Sequence, residues 1–246
     1  MMQEPQLRCM AKGNGTAKVL LIGNSYGYRT FPTLLKLFAG KFKEFRLFTK
    51  SSRMFLNKDP LDESTFEFSA FAKIVIEKSK PDIVFVIEKD MEAAQNVPYS
   101  GNIEDDPIFN FTQSRIKFLS EHSQTVVIDD QYFKPQLTKG VASIIVERLR
   151  NGQTTRDDFE DLKIEREEYL DEFKYDQKRF NALKSSNVVK NRVQDQICRG
   201  EFCYFFNHKN LHSFYGDLAL HQTTEMIKKL KRGYRRIIKH FLYEHE

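Results

Sequence analysis

The stretch Lys18-Val19-Leu20-Leu21-Ile22-Gly23-Asn24-Ser25-Tyr26 constrains the fold of this chain more than any other. Four consecutive apolar residues without alternation specify a strand buried on both faces, as in a parallel sheet covered by helices. The run stops at a glycine, and a helical pattern follows with Phe31, Leu34, Leu35, Leu37 and Phe38. Such a step places its turn at the carboxyl edge of the sheet, where open α/β folds bind ligands. Ser25 stands in that turn, beside helix N-terminal N–H groups suited to a developing oxyanion. Gly-Asn-Ser is also ordinary turn chemistry, so the question is whether the chain supplies a base for Ser25.

Composition narrows the class. The 246 residues suffice for one large domain or two small ones, and 40% hydrophobic with 13% aromatic residues argue for a packed core rather than long-range disorder. The net charge is +5, and much of the basic excess lies between Lys228 and Lys239. There Met226, Ile227, Leu230, Tyr234, Ile237, Ile238 and Phe241 fall at helical spacing, so the basic side chains read as the solvated side of a buried helix, not a nucleic-acid stripe. No run approaches the roughly 20 apolar residues that span a bilayer, and residues 1–12 lack the apolar centre of a signal peptide. Cys198 and Cys203 are close enough for a local disulfide in an oxidising compartment, whereas Cys9 is alone. A zinc site needs more ligands than this spacing offers, and a serine nucleophile activated by a histidine would need no metal or organic cofactor. The sequons Asn14-Gly15-Thr16 and Asn110-Phe111-Thr112 are compatible with a lumenal location.

Further along, strand and helix alternate. Phe45–Thr49 reads as a second strand, with Ser51, Ser52 and Arg53 at its exit. A helix over Phe66–Val75 ends near Lys80, and Asp82–Glu88 is a third strand that delivers Glu88, Lys89 and Asp90 to the same edge. After a long loop over 92–107 come a helix over 108–120 and a fourth strand, Thr125–Asp129. This pattern predicts a parallel sheet with helices on both faces. From Arg156 to Lys184, Phe159, Leu162, Tyr169, Phe173, Phe180 and Leu183 are spaced to fit one long helix with densely charged outer faces. Glu201–Phe206 reads as a final strand, and Thr223 or Thr224 as the cap of the last helix.

The chemistry concentrates late in the chain. A serine hydroxyl is a poor nucleophile until a base takes its proton, and histidine does this at neutral pH with a carboxylate fixing its tautomer. Asp217 and His221 supply both groups just before the last helix. His212 is the alternative base; only Asn207 and Asn210 precede it, and an amide does not stabilise an imidazolium as a carboxylate does.

At these residues the chain resembles the SGNH (GDSL-like) hydrolase family, closest to the SGNH domains attached to acyltransferase-3 membrane proteins in nematodes. Gly23-Asn24-Ser25-Tyr26 resembles the family's nucleophile block, Pro81–Ile87 the strand leading to its third block, and Ser213-Phe214-Tyr215-Gly216-Asp217 with His221-Gln222-Thr223, preceded by Cys198, Cys203 and Asn207, its cysteine-flanked final block. The resemblance runs from about residue 9 to 238. It implies a flavodoxin-like three-layer α/β/α fold in a single domain over 1–246, with a flexible N-terminal segment over 1–16 and a charged helical insertion over 151–190. It implies a serine esterase or O-acyltransferase acting on an O-acyl group of a carbohydrate or lipid. Ser25 would be the nucleophile, His221 the base and Asp217 its orienting acid. The oxyanion donors would come from Ser25, Ser52 and Lys89, and Cys198 and Cys203 would form a disulfide. The implied partners are an acyl ester or acyl acceptor and a multi-pass membrane acyltransferase region, with the domain on the lumenal or extracellular side. The family usually spaces its final Asp and His by three positions and here they are four apart, and the Gly and Asn of its second and third blocks have no clear match. A relative that binds a glycan, lipid or protein without catalysis is therefore the alternative.

Overall fold

The computed structural model describes residues 6–56, 63–89, 97–99, 101–130, 139–155, 157–216 and 221–244. In chain order the strands and helices are β1 (Gln6–Lys12), β2 (Ala17–Gly23), α1 (Ser25–Leu37), β3 (Phe42–Lys50), α2 (Glu63–Ser79), β4 (Ile83–Ile87), α3 (Pro107–His122), β5 (Thr125–Asp129), α4 (Val141–Arg150), β6 (Lys163–Glu165), α5 (Arg166–Glu172), α6 (Lys174–Ala182), β7 (Val188–Asn191), α7 (Gln194–Ile197), β8 (Cys198–Arg199), β9 (Phe202–Tyr204), β10 (Phe206–Asn207), β11 (His212–Ser213) and α8 (Thr224–Glu244).

The main sheet is ordered β1-β3-β2-β4-β5-β7. Its five inner-to-edge strands from β3 to β7 are parallel, and β1 runs antiparallel to β3. Leaving β1 aside, the parallel strands have the flavodoxin-like order: the chain moves from β2 to β3 on one side, then crosses to β4 on the other. The point of reversal is the carboxyl end of β2, where Ser25 begins α1.

The uninterrupted apolar runs are explained by two cores. Val19, Leu21, Phe45, Phe85 and Val127 face one side, against Leu34 of α1 and Phe38 at its C-cap, Val141 and Ile145 of α4, and Met226, Leu230, Tyr234 and Ile238 of α8. Leu20, Ile22, Phe48, Val84, Val86 and Ile128 face the other, against Phe68, Ala72 and Ile76 of α2 and Phe109, Ile116 and Leu119 of α3. Strand side chains alternate in direction, so a strand covered on both faces must be apolar at every position. The result is three layers, α/β/α.

Three expectations are corrected. The N-terminal segment is not wholly flexible, because Gln6–Lys12 pairs with β3 along seven residues. As an exposed edge strand it has no apolar run to announce it; Arg8 instead lays its guanidinium over the rings of Phe48 and Phe71, 5.2 and 5.5 Å from their centroids. The stretch 156–184 is not one helix. Phe159, Leu162 and Tyr169 join the first core and Phe180 and Leu183 the second, on opposite sides of the sheet. One straight helix cannot serve both. Pairing of Ile164 with Cys203 makes β6, and Phe173, with φ −109° and ψ 20°, separates α5 from α6. The last strand of the main sheet is β7, not Glu201–Phe206; Phe202–Tyr204 pairs with β6 and β8 in a separate three-stranded sheet. Helix α4 had no counterpart in the sequence reading.

Gly23 closes β2 with φ +158°, and a Cβ built there would stand 1.9 Å from the Ile87 carbonyl oxygen. That oxygen belongs to backbone in the middle of the sheet and cannot yield. Gly23→Ala is therefore expected to destabilise the protein by about 3 kcal/mol, read as a lower denaturant midpoint at unchanged slope.

Candidate active site

The carboxyl edge of the sheet is tied together before any chemistry is considered. Asn24 is completely buried and caps α1, its Oδ1 accepting from Tyr26 N at 3.2 Å. The same amide donates from Nδ2 to the Lys89 carbonyl at 2.8 Å and meets Lys89 N at 3.4 Å, lashing the exit of β2 to the exit of β4. Glu88 points its carboxylate at the segment after β3, accepting from Phe55 N at 2.8 Å and Leu56 N at 2.9 Å. On the other flank Asp129 accepts from Asn191 Nδ2 at 2.7 Å and from the Tyr234 hydroxyl at 2.5 Å, joining β5, β7 and α8. Burial pushes the neighbouring Asp130 carboxyl well above the ordinary range, against one backbone hydrogen bond from Val193 N at 2.7 Å.

Ser25 is the first residue of α1, half-buried at this edge. Gly27, two residues on, lets the first helical turn sit against the sheet: a Cβ there would be 2.7 Å from Leu21 Cδ2 and 2.9 Å from the Ile87 oxygen. His221 arrives from the far end of the chain, and its Nε2 lies 3.0 Å from Ser25 Oγ. The segment carrying it is held on both sides. Gly216 N donates to the His221 carbonyl at 2.9 Å, Thr223 N to Phe214 O at 3.0 Å, and the Thr223 hydroxyl to Ser213 O at 2.6 Å. From the helix side, the Thr30 hydroxyl donates to Gln222 Oε1 at 3.2 Å, with Gln222 only 1% exposed. The imidazole lies beside the buried Tyr26 ring, 6.2 Å between centroids. A hydroxyl and an imidazole at this separation can exchange a proton.

The other candidates are placed as follows. His212 is exposed and turned to Glu225, its Nδ1 4.0 Å from the carboxylate, which the Asn207 amide holds below the usual range. Lys89 is 6% exposed, with Nζ 5.7 Å from the Tyr26 ring centroid. Ser52 occupies an exposed turn at the exit of β3 with φ 56°, its carbonyl accepting from Arg53 Nη1 at 3.1 Å, and among the described residues it has no hydrogen bond to Ser25 or His221. Asp217 lies outside the described residues. Cys198 and Cys203 are disulfide-bonded across the β8–β9 hairpin, and Cys9 is exposed. No group of three or more metal-ligating side chains occurs among the described residues. Sequence reading missed Asn24, Thr30 and Gln222 as parts that fix the pair. The glycine two places after Ser25 was the available signal for a tightly packed helix start.

The geometry invites comparison with known proteins. Among solved structures, the periplasmic domain of the lipopolysaccharide acetyltransferase of Salmonella ser. Paratyphi A superposes with a TM-score of 0.63 at 17% identity, over 92% of this chain and 84% of that one. A proposed acylhydrolase of Bacteroides fragilis superposes with a TM-score of 0.50 at 12% identity, over 94% and 91% of the two chains. At these identities the likeness is one of fold. No curated protein matches the chain. No described helix is long and apolar enough to cross a membrane. The model of the SGNH domain fused to AT3 domains matches residues 2–236, and the chain belongs to that family.

Proposed function

We propose that this domain is a serine-dependent esterase or O-acyltransferase that works through an acyl-enzyme on Ser25, on O-acyl groups of a carbohydrate or lipid. The observation that carries the reading is the 3.0 Å contact between Ser25 Oγ and His221 Nε2. His221 takes the hydroxyl proton as Oγ attacks the ester carbonyl, and the tetrahedral oxyanion forms at the N-terminus of α1, with the Ser25 N–H as donor. Lys89, its Nζ 5.7 Å from the Tyr26 ring centroid, is assigned a supporting role at that end of the site. His221 returns the proton to the departing alkoxide as the C–O bond breaks. Water or a sugar hydroxyl, deprotonated by the same ring, then releases the acyl group from Ser25. Asp217, four residues before His221 in sequence, is assigned the role of orienting the imidazole through Nδ1. Family members are described as fused to AT3 domains, and a membrane acyltransferase region is the proposed source of the acyl group.

A fluorophosphonate probe tests the nucleophile. Labelling of the folded protein that vanishes in Ser25→Ala is the expected result, with Asp217→Asn labelling far more slowly at neutral pH. Folded protein that refuses the probe overturns the reading in favour of a domain that only binds its ligand.

A further inference from the structure

Beside the Ser25–His221 pair, α1 presents two side chains that proton transfer does not use. Tyr28 and Arg29 follow Ser25 by three and four positions, which puts them on its side of the helix, with about 5–6 Å between Cβ atoms. Both are exposed, Tyr28 at 49%. The guanidinium is held at the site: its Nη1 donates to the carbonyl of Gln222, the residue after His221, at 3.4 Å. That bond is long and engages one of five N–H groups. Elsewhere in the molecule Arg46, Arg148, Arg166 and Arg179 are paired with carboxylates; among the described residues Arg29 has no such partner. Glu88, at the exit of β4, is buried with both oxygens turned to backbone N–H groups. An exposed phenol ring and a guanidinium on consecutive residues, about one turn from a nucleophile, suit a ring-shaped substrate that carries an anion.

We propose that Tyr28 and Arg29 form a subsite for an acidic sugar: the pyranose ring lies on Tyr28, its carboxylate meets the Arg29 fork, and its O-acyl group reaches Ser25. The inference deepens the acyl-transfer reading and rests on it. It adds no reaction step, only a preference set by a charge-assisted, planar contact.

Calorimetry on the Ser25→Ala protein, which cannot turn substrate over, separates binding from catalysis. The probes are O-acetylated trigalacturonic acid and O-acetylated xylotriose. The acidic ligand is expected to bind about ten- to a hundredfold more tightly at low salt, with the difference shrinking as ionic strength rises. Adding Arg29→Gln brings the two ligands to within about twofold of each other, and Arg29→Lys retains part of the preference. Adding Tyr28→Ala weakens both ligands severalfold. Equal binding of the two ligands, or a preference that survives Arg29→Gln, overturns the subsite. A preference found in a protein whose Ser25 refuses the fluorophosphonate leaves the subsite standing and sinks the acyl-transfer reading instead.

Discussion

Replacing His221 with alanine is expected to lower kcat for acetyl-ester hydrolysis by about 1,000-fold or more, with little change in KM. Without the ring, the Ser25 hydroxyl keeps its proton at neutral pH and the leaving alkoxide has no donor, so the loss falls on the chemical step. The substitution leaves the frame of the site in place. The Gly216 N–H still meets a backbone carbonyl at position 221, and Gln222 still accepts from Thr30. Thermal stability should therefore change little, and fluorophosphonate labelling of Ser25 should slow in parallel with kcat. His212→Ala is the control. Its ring is exposed and directed at Glu225, so activity within about twofold of the parent is expected, as for surface substitutions in general. Equal losses from both substitutions, or none from His221→Ala, would show that the base lies elsewhere.

The parts of this site that could be read from the sequence are those whose signal is local. The Val19–Ile22 run needs two covered faces, so it announced a central parallel strand, and the glycine and serine after it announced the step from its carboxyl end into a helix. His221 was distinguished from His212 by a carboxylate in its own segment. What holds the pair together was not readable, because it depends on partners distant in sequence: Asn24 and Lys89 are 65 positions apart, Thr30 and Gln222 192. The edges of the sheet were hidden for a different reason. β1 and β7 carry mixed polar and apolar residues because one side of each strand lacks a partner, and the stripe over 156–184 had helical spacing although its two halves fill cores on opposite faces. Periodicity reports how often an apolar side chain is needed, not which core receives it.

The largest stability effect is expected at Arg179. Its guanidinium and the Asp106 carboxylate are 5% and 1% exposed and meet at 2.6 Å through Nη2, with Nε at 3.1 Å. Asp106 also caps α3, Oδ1 accepting from Ile108 N at 2.8 Å and Phe109 N at 2.9 Å. Arg179 reaches on to the Val97 carbonyl at 2.8 Å and lies over the Tyr99 ring at 5.0 Å. One side chain thus joins α6, the start of α3 and the 97–99 segment. Burial alone would raise the Asp106 carboxyl; Arg179 and the two helix N–H groups outweigh it and hold the group below its ordinary value. A depressed carboxyl stabilises the fold above its unfolded pKa, about 3.9, and that contribution fades as pH falls through the folded value. Arg179→Leu removes the cation and leaves a buried carboxylate, a loss of about 3–5 kcal/mol at neutral pH. Without the Arg179 hydrogen bond and charge, the Asp106 carboxyl is expected to rise from its depressed value, so the variant's deficit relative to the parent shrinks as pH falls and the group takes up a proton. Urea unfolding of both proteins at pH 7 and near pH 4 measures this. A destabilisation that stays constant between the two would mean that Arg179 contributes through packing, not through the charge on Asp106.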